Sequence, residues 1–186
     1  MNKLLKVLSI VIAGFALTAS SFAADVTMRI SIQLPMKSHL GQNLLLFKND
    51  VEAKSKGEIE VQIYDSAQLY KDKEVPAAVG SGSIEAGVAS LTKYVGDIPA
   101  VDIFYQPFLL NSEAKVRKAV AKGSAIRGPI DKAIEGTGST VLWWQAYGSA
   151  VMLSKGQGIK NPSDMKGKKV RVFGKTLGAF VKASGG

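Results

Sequence analysis

Residues 58–64 read Glu-Ile-Glu-Val-Gln-Ile-Tyr, a strict alternation that sets Ile59, Val61 and Ile63 on one face and Glu58, Glu60 and Gln62 on the other. Successive side chains of an extended chain point to opposite faces, so the stretch reads as a half-exposed β-strand. Upstream, His39–Lys56 carries Leu40, Leu44, Phe47 and Val51 at helical spacing and is closed by Gly57. Before it, Val26–Gln33 (VTMRISIQ) is strand-like again. Downstream, after a loop around Ser66–Lys71, a helical stretch runs to Gly80 or Gly82 with Pro76 in its first turn or kinking it, and Ile84–Ala89 returns as a short strand. Strands alternating with helices imply an α/β architecture with a mainly parallel sheet.

The rhythm continues to the end of the chain. Asp102–Leu110 is apolar and aromatic around Pro107, with Phe104, Tyr105 and Phe108 expected in an interdomain core. Asn111-Ser112-Glu113 then supplies a cap and an early acid for a helix over Ala114–Lys122. A helix over Pro129–Glu135 precedes a turn at Gly136 and Gly138 and a strand over Thr140–Ala146 (TVLWWQA), followed by an apolar stretch at Val151–Ser154. Asn161-Pro162 caps one short turn to Met165, Lys168–Phe173 reads as a strand and Thr176–Ala183 as a helix. The chain stops at Gly185-Gly186, where the next strand is due, which leads us to expect an N-terminal fragment of a longer fold.

With 186 residues and 46% of them apolar, the chain can bury a sizeable core. It has no Cys and one His, His39, which excludes disulfide scaffolds, thiolate zinc sites, thiol nucleophiles and any site needing two His ligands. The 24 basic residues exceed the 15 acids by 9, but they are scattered and form no nucleic-acid footprint. Lys3 and Lys6, the uncharged run Val7–Ala19 and the small residues of Ser21-Phe22-Ala23 make residues 1–23 an expected signal peptide cleaved after Ala23. A bilayer-spanning helix needs about 20 apolar residues, so no membrane anchor is expected. No Cys follows the cleavage site to carry a lipid. The expected product is free in the periplasm or outside the cell.

Several motifs fail on spacing. Gly174-Lys175-Thr176 lies between a strand and a helix, but a phosphate loop needs a Gly where Lys169 stands. Gly80-Ser81-Gly82 lacks the third glycine of a dinucleotide fingerprint, and helix termination accounts for it. No nucleophile elbow accompanies His39, and none of the acids stands out as a catalytic pair. No catalytic residue, cofactor or metal is expected.

Two features invite a binding role. Arg171 lies within a strand whose pattern suggests a covered sheet; its planar fork matches a carboxylate in two parallel hydrogen bonds. The competing reading is an exposed Arg on a strand edge, or one paired with an internal acid. Trp143 and Trp144 point to opposite faces of their strand, so one is core and the other is free to line a cleft.

Taken together these segments resemble the solute-binding proteins of tripartite ATP-independent periplasmic (TRAP) transporters, the DctP-type family. The pieces are Pro35 and His39, Gln62-Ile63-Tyr64 leading to Gln68-Leu69, Glu74, Gly80–Gly87, Tyr94 and Gln106-Pro107-Phe108-Leu109. The longest is Ile159–Val172 (IKNPSDMKGKKVRV). The resemblance implies a periplasmic-binding-protein-like fold of two α/β lobes with a hinge: 24–146 as lobe I and 147–186 as the incomplete start of lobe II. It implies that Arg171 clamps the carboxylate of a small organic anion, delivered to membrane permease subunits driven by an ion gradient. Gln33, His39, Gln68 and Ser90, with Trp144 and Gln145, would orient that ligand, and Phe173 would pack against it. Where many members carry a second Arg, this chain has Ser149, Ala150 and Val151, which weakens the case for a doubly charged ligand. A neighbouring Trp would favour a more apolar or aromatic monocarboxylate. Two rivals remain: an exported sensor for a membrane kinase, and an exported hydrolase.

Overall fold

The computed structural model describes residues 24–186, so the expected signal peptide lies outside the described residues. Three parallel strands form one sheet in the order β2-β1-β3, with β1 over Val26–Ser31, β2 over Ile59–Tyr64 and β3 over Ala86–Gly87. Val26 pairs with Ile59 and Ser31 with Tyr64 on one side of β1, while Ile30 pairs with Ala86 and Ser31 with Gly87 on the other. Helix α1 (His39–Lys54) connects β1 to β2, and the short helix α2 (Val75–Gly80), with Pro76 in its first turn, leads to β3. Strand β3 is shorter than the expected 84–89 because it meets β1 at two residues only.

Helix α1 forms where its sequence predicts. The Ser38 hydroxyl accepts from the Gly41 N–H at 3.1 Å, satisfying one donor of the open first turn. Leu40 and Leu44 then bury against Ile30, Ile32 and Val61 of the sheet, forming the first core. The helix also closes the outer edge of β2. Glu52 accepts from the Val61 N–H at 2.9 Å and Lys48 donates to the Val61 carbonyl at 2.6 Å, so this residue offers no open hydrogen bonds to another strand.

A second clasp ties β1 to the approach to β3. The Arg29 guanidinium donates to both carboxylate oxygens of Glu85, at 2.9 and 2.8 Å, and the Arg29 backbone N–H adds a third bond at 2.8 Å. These hydrogen bonds hold the Glu85 carboxyl down to about 2, against an ordinary value of 4.5. A carboxylate whose value falls on folding contributes stability above its unfolded value and loses it as the pH drops toward the folded one. Glu85→Gln is therefore expected to lower the melting temperature near neutral pH, with the difference from wild type closing between about pH 4.5 and about pH 2. Paired thermal melts across that window check the prediction.

The second core gathers Ile98, Val101, Ile130 and Ile134, with Leu91, Tyr94, Phe104, Val141 and Trp144 against them. It is built from 3₁₀ turns at Leu91–Lys93 and Pro99–Tyr105 and from the helix over Arg127–Glu135, α4, which follows helix α3 (Glu113–Val120, capped by Ser112). Phe104 joins this core, but Phe108, expected beside it, is turned outward at 79% exposure by a left-handed backbone (φ 66°). Segment 140–147 straps the two cores together. Trp143 lies 5.1 Å from Phe47 of α1 and Trp144 lies 5.2 Å from Phe104.

Two expected strands are not formed. Thr140–Ala146 and Lys168–Phe173 take no regular secondary structure, and among the described residues none of 140–159 takes part in a backbone–backbone hydrogen bond. A strand exists through its neighbour, and among the described residues neither segment has a hydrogen-bonded partner strand. The turn between them follows the sequence: Asn161 and Asp164 form a reciprocal cap around the 3₁₀ turn Pro162–Met165. Helix α5 (Lys175–Ala183) closes the chain, and the Thr176 hydroxyl donates to Asp102 of the Pro99–Tyr105 turn. Among the described residues no helix is long and apolar enough to cross a membrane.

Candidate functional site

In the order β2-β1-β3 the chain leaves the carboxyl end of β1 toward one neighbour and later returns on the other side. A crevice opens outside the strand ends at such a reversal, and ligands of open α/β sheets bind there. Gln33, two residues past β1, and Ser90, three past β3, meet at these strand ends, the Gln33 amide donating to the Ser90 hydroxyl at 3.4 Å.

The walls of the crevice are polar and tied down. Asp72, with its side chain 12% exposed, accepts from the Ser90 N–H at 2.8 Å and stands 3.6 Å from the Lys93 ammonium. The Ser31 hydroxyl, fully buried at the end of β1, bonds to both the carbonyl and the N–H of Tyr70, fixing the loop that carries Asp72. Tyr105 meets Thr92, and burial pushes its phenol up, with the Asp72 and Asp102 carboxylates acting in the same direction against the Thr92 hydrogen bonds. Asp102 in turn accepts from Thr176.

That last contact brings the segment of Arg171 to the crevice. A Cβ added to Gly174 would stand 3.9 Å from both Asp102 Oδ1 and Thr92 Cγ2, so this backbone lies against the crevice wall. Arg171 is three residues earlier, at most about 10 Å of chain. It is exposed, with its guanidinium 4.7 Å from the centre of the Phe173 ring, and it enters no ion pair among the described residues. The guanidinium over the ring shows that the Arg171 and Phe173 side chains lie together. Val170 and Val172 line an open concavity of about 450 Å³ with Val181 and Lys182 of α5.

The other expected site residues fall into three groups. His39 and Gln145 come together: the His39 ring nitrogen lies 3.2 Å from the Ala146 carbonyl, and the Gln145 amide donates to the His39 carbonyl at 3.4 Å. Gln68 is exposed and donates to Asp65 at 3.0 Å within its own turn. Trp144 is drawn into packing. Its indole N–H donates to Asp131 at 2.7 Å, Asp131 also accepts from Arg127 at 2.9 Å, and the guanidinium lies 5.5 Å from the Trp144 ring. The indole donor is thereby committed. Asp72, Lys93, Thr92 and Asp102 were not singled out by sequence, and Tyr105 was expected in an interdomain core. Asp72 hides in the charged run Lys71-Asp72-Lys73-Glu74, which reads as a solvated turn.

Comparison with known proteins identifies the family and the fold. Residues 30–186 match the DctP family, the bacterial extracellular solute-binding proteins of family 7. A solute-binding protein of Verminephrobacter eiseniae is 31% identical over 155 residues, 81% of this chain and 44% of that protein. The C4-dicarboxylate-binding periplasmic protein DctP of Rhodobacter capsulatus is 28% identical over 92% of this chain and 51% of its own length. The crystal structure of a TRAP periplasmic solute-binding protein from Sulfurospirillum deleyianum, with bound succinate, has a TM-score of 0.80 at 23% identity, covering 88% of this chain and 52% of that one. This last likeness shows the fold. The chain spans about half the length of the curated relatives it matches.

Proposed function

We propose that this chain, which belongs to family 7 of the bacterial extracellular solute-binding proteins, is the ligand-capturing part of a periplasmic receptor for a small organic acid. The receptor delivers that acid to the membrane subunits of a TRAP transporter and performs no chemistry on it. Residues 1–23 direct export, 24–146 belong to one lobe and 147–186 begin the second.

The observation that carries the reading is the free guanidinium of Arg171, on the segment that abuts a polar crevice at the strand-order reversal. An Arg without an acid partner, held beside fixed polar groups, suits a carboxylate that supplies the missing charge. Gln33 and Ser90 orient the rest of the ligand, His39 at the start of α1 and Gln145 bonded to its carbonyl border the site, and Phe173 offers a ring face. Gln68 contributes through the loop after β2. Trp144 supports the site from behind, its donor being held by Asp131. Closure of the lobes removes water from the ion pair and strengthens it, while both charges pay for desolvation.

A thermal-shift screen of the full-length protein against short-chain carboxylates tests the reading. A ligand at 100 times its dissociation constant adds about 2.7 kcal/mol of stability. At least one acid is expected to raise the melting temperature accordingly. A panel that leaves it unmoved overturns the receptor assignment.

A further inference from the structure

We propose that residues 155–186 carry a docking surface for an anionic phospholipid bilayer, outside the ligand crevice. Charge is divided unevenly along the chain. Residues 24–154 hold 14 basic and 14 acidic side chains and are neutral, whereas 155–186 hold seven Lys and one Arg against a single Asp, a net charge of +7. The lysines are spaced, so no local run of like charge reveals the excess. Asymmetry of this size between parts of one chain points to nucleic acid or to a membrane. For a chain read as exported the membrane is the relevant surface, and in that respect the inference rests on the reading above.

The fold gathers these charges. The Gly167 N–H donates to the Gly185 carbonyl and the Gly186 N–H to the Val181 carbonyl, each at 3.1 Å, which ties the turn after Pro162–Met165 to the end of α5. Lys168, Lys169 and Lys182 accordingly line one open concavity, and a Cβ added to Gly185 would stand 3.7 Å from the Lys166 Cα. All seven lysines, Lys155, Lys160, Lys166, Lys168, Lys169, Lys175 and Lys182, are exposed, and none enters an ion pair among the described residues. The single acid is turned to the backbone: Asp164 accepts from the Lys160 and Asn161 N–H groups at 2.9 Å each. Setting Arg171 aside for the carboxylate still leaves an excess of six.

The choice of Lys over Arg selects the partner. Contacts between proteins are depleted in Lys and enriched in Arg and aromatic residues. Lys is a compact, strongly hydrated point charge on a flexible stem, suited to a diffuse layer of headgroup phosphates. Each Lys near an anionic bilayer raises affinity about fivefold. A receptor held in this way searches for its membrane subunits in two dimensions.

Vesicle co-sedimentation tests the surface, using the full-length protein freed of residues 1–23, whose apolar run would itself enter lipid, and with no carboxylate ligand present. Vesicles of phosphatidylglycerol and phosphatidylethanolamine in equal parts are expected to bind the protein at about 0.1 M salt and release it at about 1 M, as the screening length falls from about 10 to about 3 Å. Phosphatidylcholine vesicles are expected to leave it in solution. A triple variant, Lys166→Gln, Lys168→Gln and Lys169→Gln, is expected to bind on the order of a hundredfold more weakly. Removing as much charge from exposed positions on and after α3, with Lys115→Gln, Lys118→Gln and Lys122→Gln, is expected to leave binding close to wild type. Equal binding to phosphatidylcholine, binding of the wild type that ignores salt, or equal losses in the two triple variants overturns the proposal. Displacement by inorganic phosphate at matched ionic strength overturns it in favour of a free-phosphate site. Retention on poly-glutamate without vesicle binding overturns it in favour of an acidic polypeptide. None of these outcomes decides the carboxylate reading, which the thermal-shift screen tests separately.

Discussion

In the Arg171→Ala variant the stabilisation conferred by a bound carboxylate is expected to vanish, while the melting temperature of the unliganded protein stays where it was. The two halves of this result have different causes. Without ligand, Arg171 is exposed, touches no acid and rests only on the Phe173 ring, so its removal leaves nothing uncompensated. Surface substitutions of this kind shift stability by about 0.5 kcal/mol or less. With ligand, the guanidinium is one partner of a desolvated pair, and truncating such a partner costs about 2–5 kcal/mol. A loss of about 2.7 kcal/mol is a hundredfold in affinity. At a ligand concentration that was 100 times the dissociation constant, stabilisation then falls from about 2.7 to about 0.4 kcal/mol. Arg171→Lys keeps the charge but loses the fork, and is expected to recover only part of the affinity. A ligand response in Arg171→Ala equal to that of wild type would remove the clamp from the account.

Ile32→Ala is expected to produce the largest loss of stability. Ile32 has no exposed surface, lies between β1 and Gln33, and packs in the core with Ile30, Leu40, Leu44 and Val61. Shortening a buried Ile to Ala costs about 2–5 kcal/mol through lost transfer energy and the cavity left behind. For a protein of this size that corresponds to a fall in melting temperature on the order of 5–15 °C. Leu46→Ala, on the 67% exposed face of α1, is expected to change little and serves as the control. Chemical denaturation of the two variants beside wild type measures both values.

The part of the molecule legible in the sequence is the part governed by local period. The alternation of residues 58–64, the helical spacing from Leu40 to Val51 and the Ser112 and Asn161 caps all rest on neighbours within a few positions, and all are present. The segments 140–146 and 168–173 have the composition of strands, but pairing depends on a second backbone that no local pattern supplies. The same limit applies to the crevice. Ser90 and Asp72 are 18 residues apart and Thr176 and Asp102 are 74 apart, so nothing in either neighbourhood announces the contact. Gln33 and Ser90 became expected ligand groups through family resemblance, which also favoured the clamp at Arg171 over an exposed strand-edge Arg. For the tryptophan pair, alternation implied that one ring is buried; which one was decided by Asp131, thirteen positions away on α4.

That division of labour between adjacent tryptophans has a spectroscopic consequence. They are the only two in the chain, so all indole emission comes from one peptide unit. Trp143, against Phe47 and 37% exposed, senses the junction with the sheet layer, whereas Trp144, with its N–H on Asp131 and Arg127 over its ring, senses the second core. The two rings therefore sit in different surroundings on the two halves of the molecule that the strap joins. Single Trp→Phe replacements would turn the protein into its own two-channel probe, without an added label.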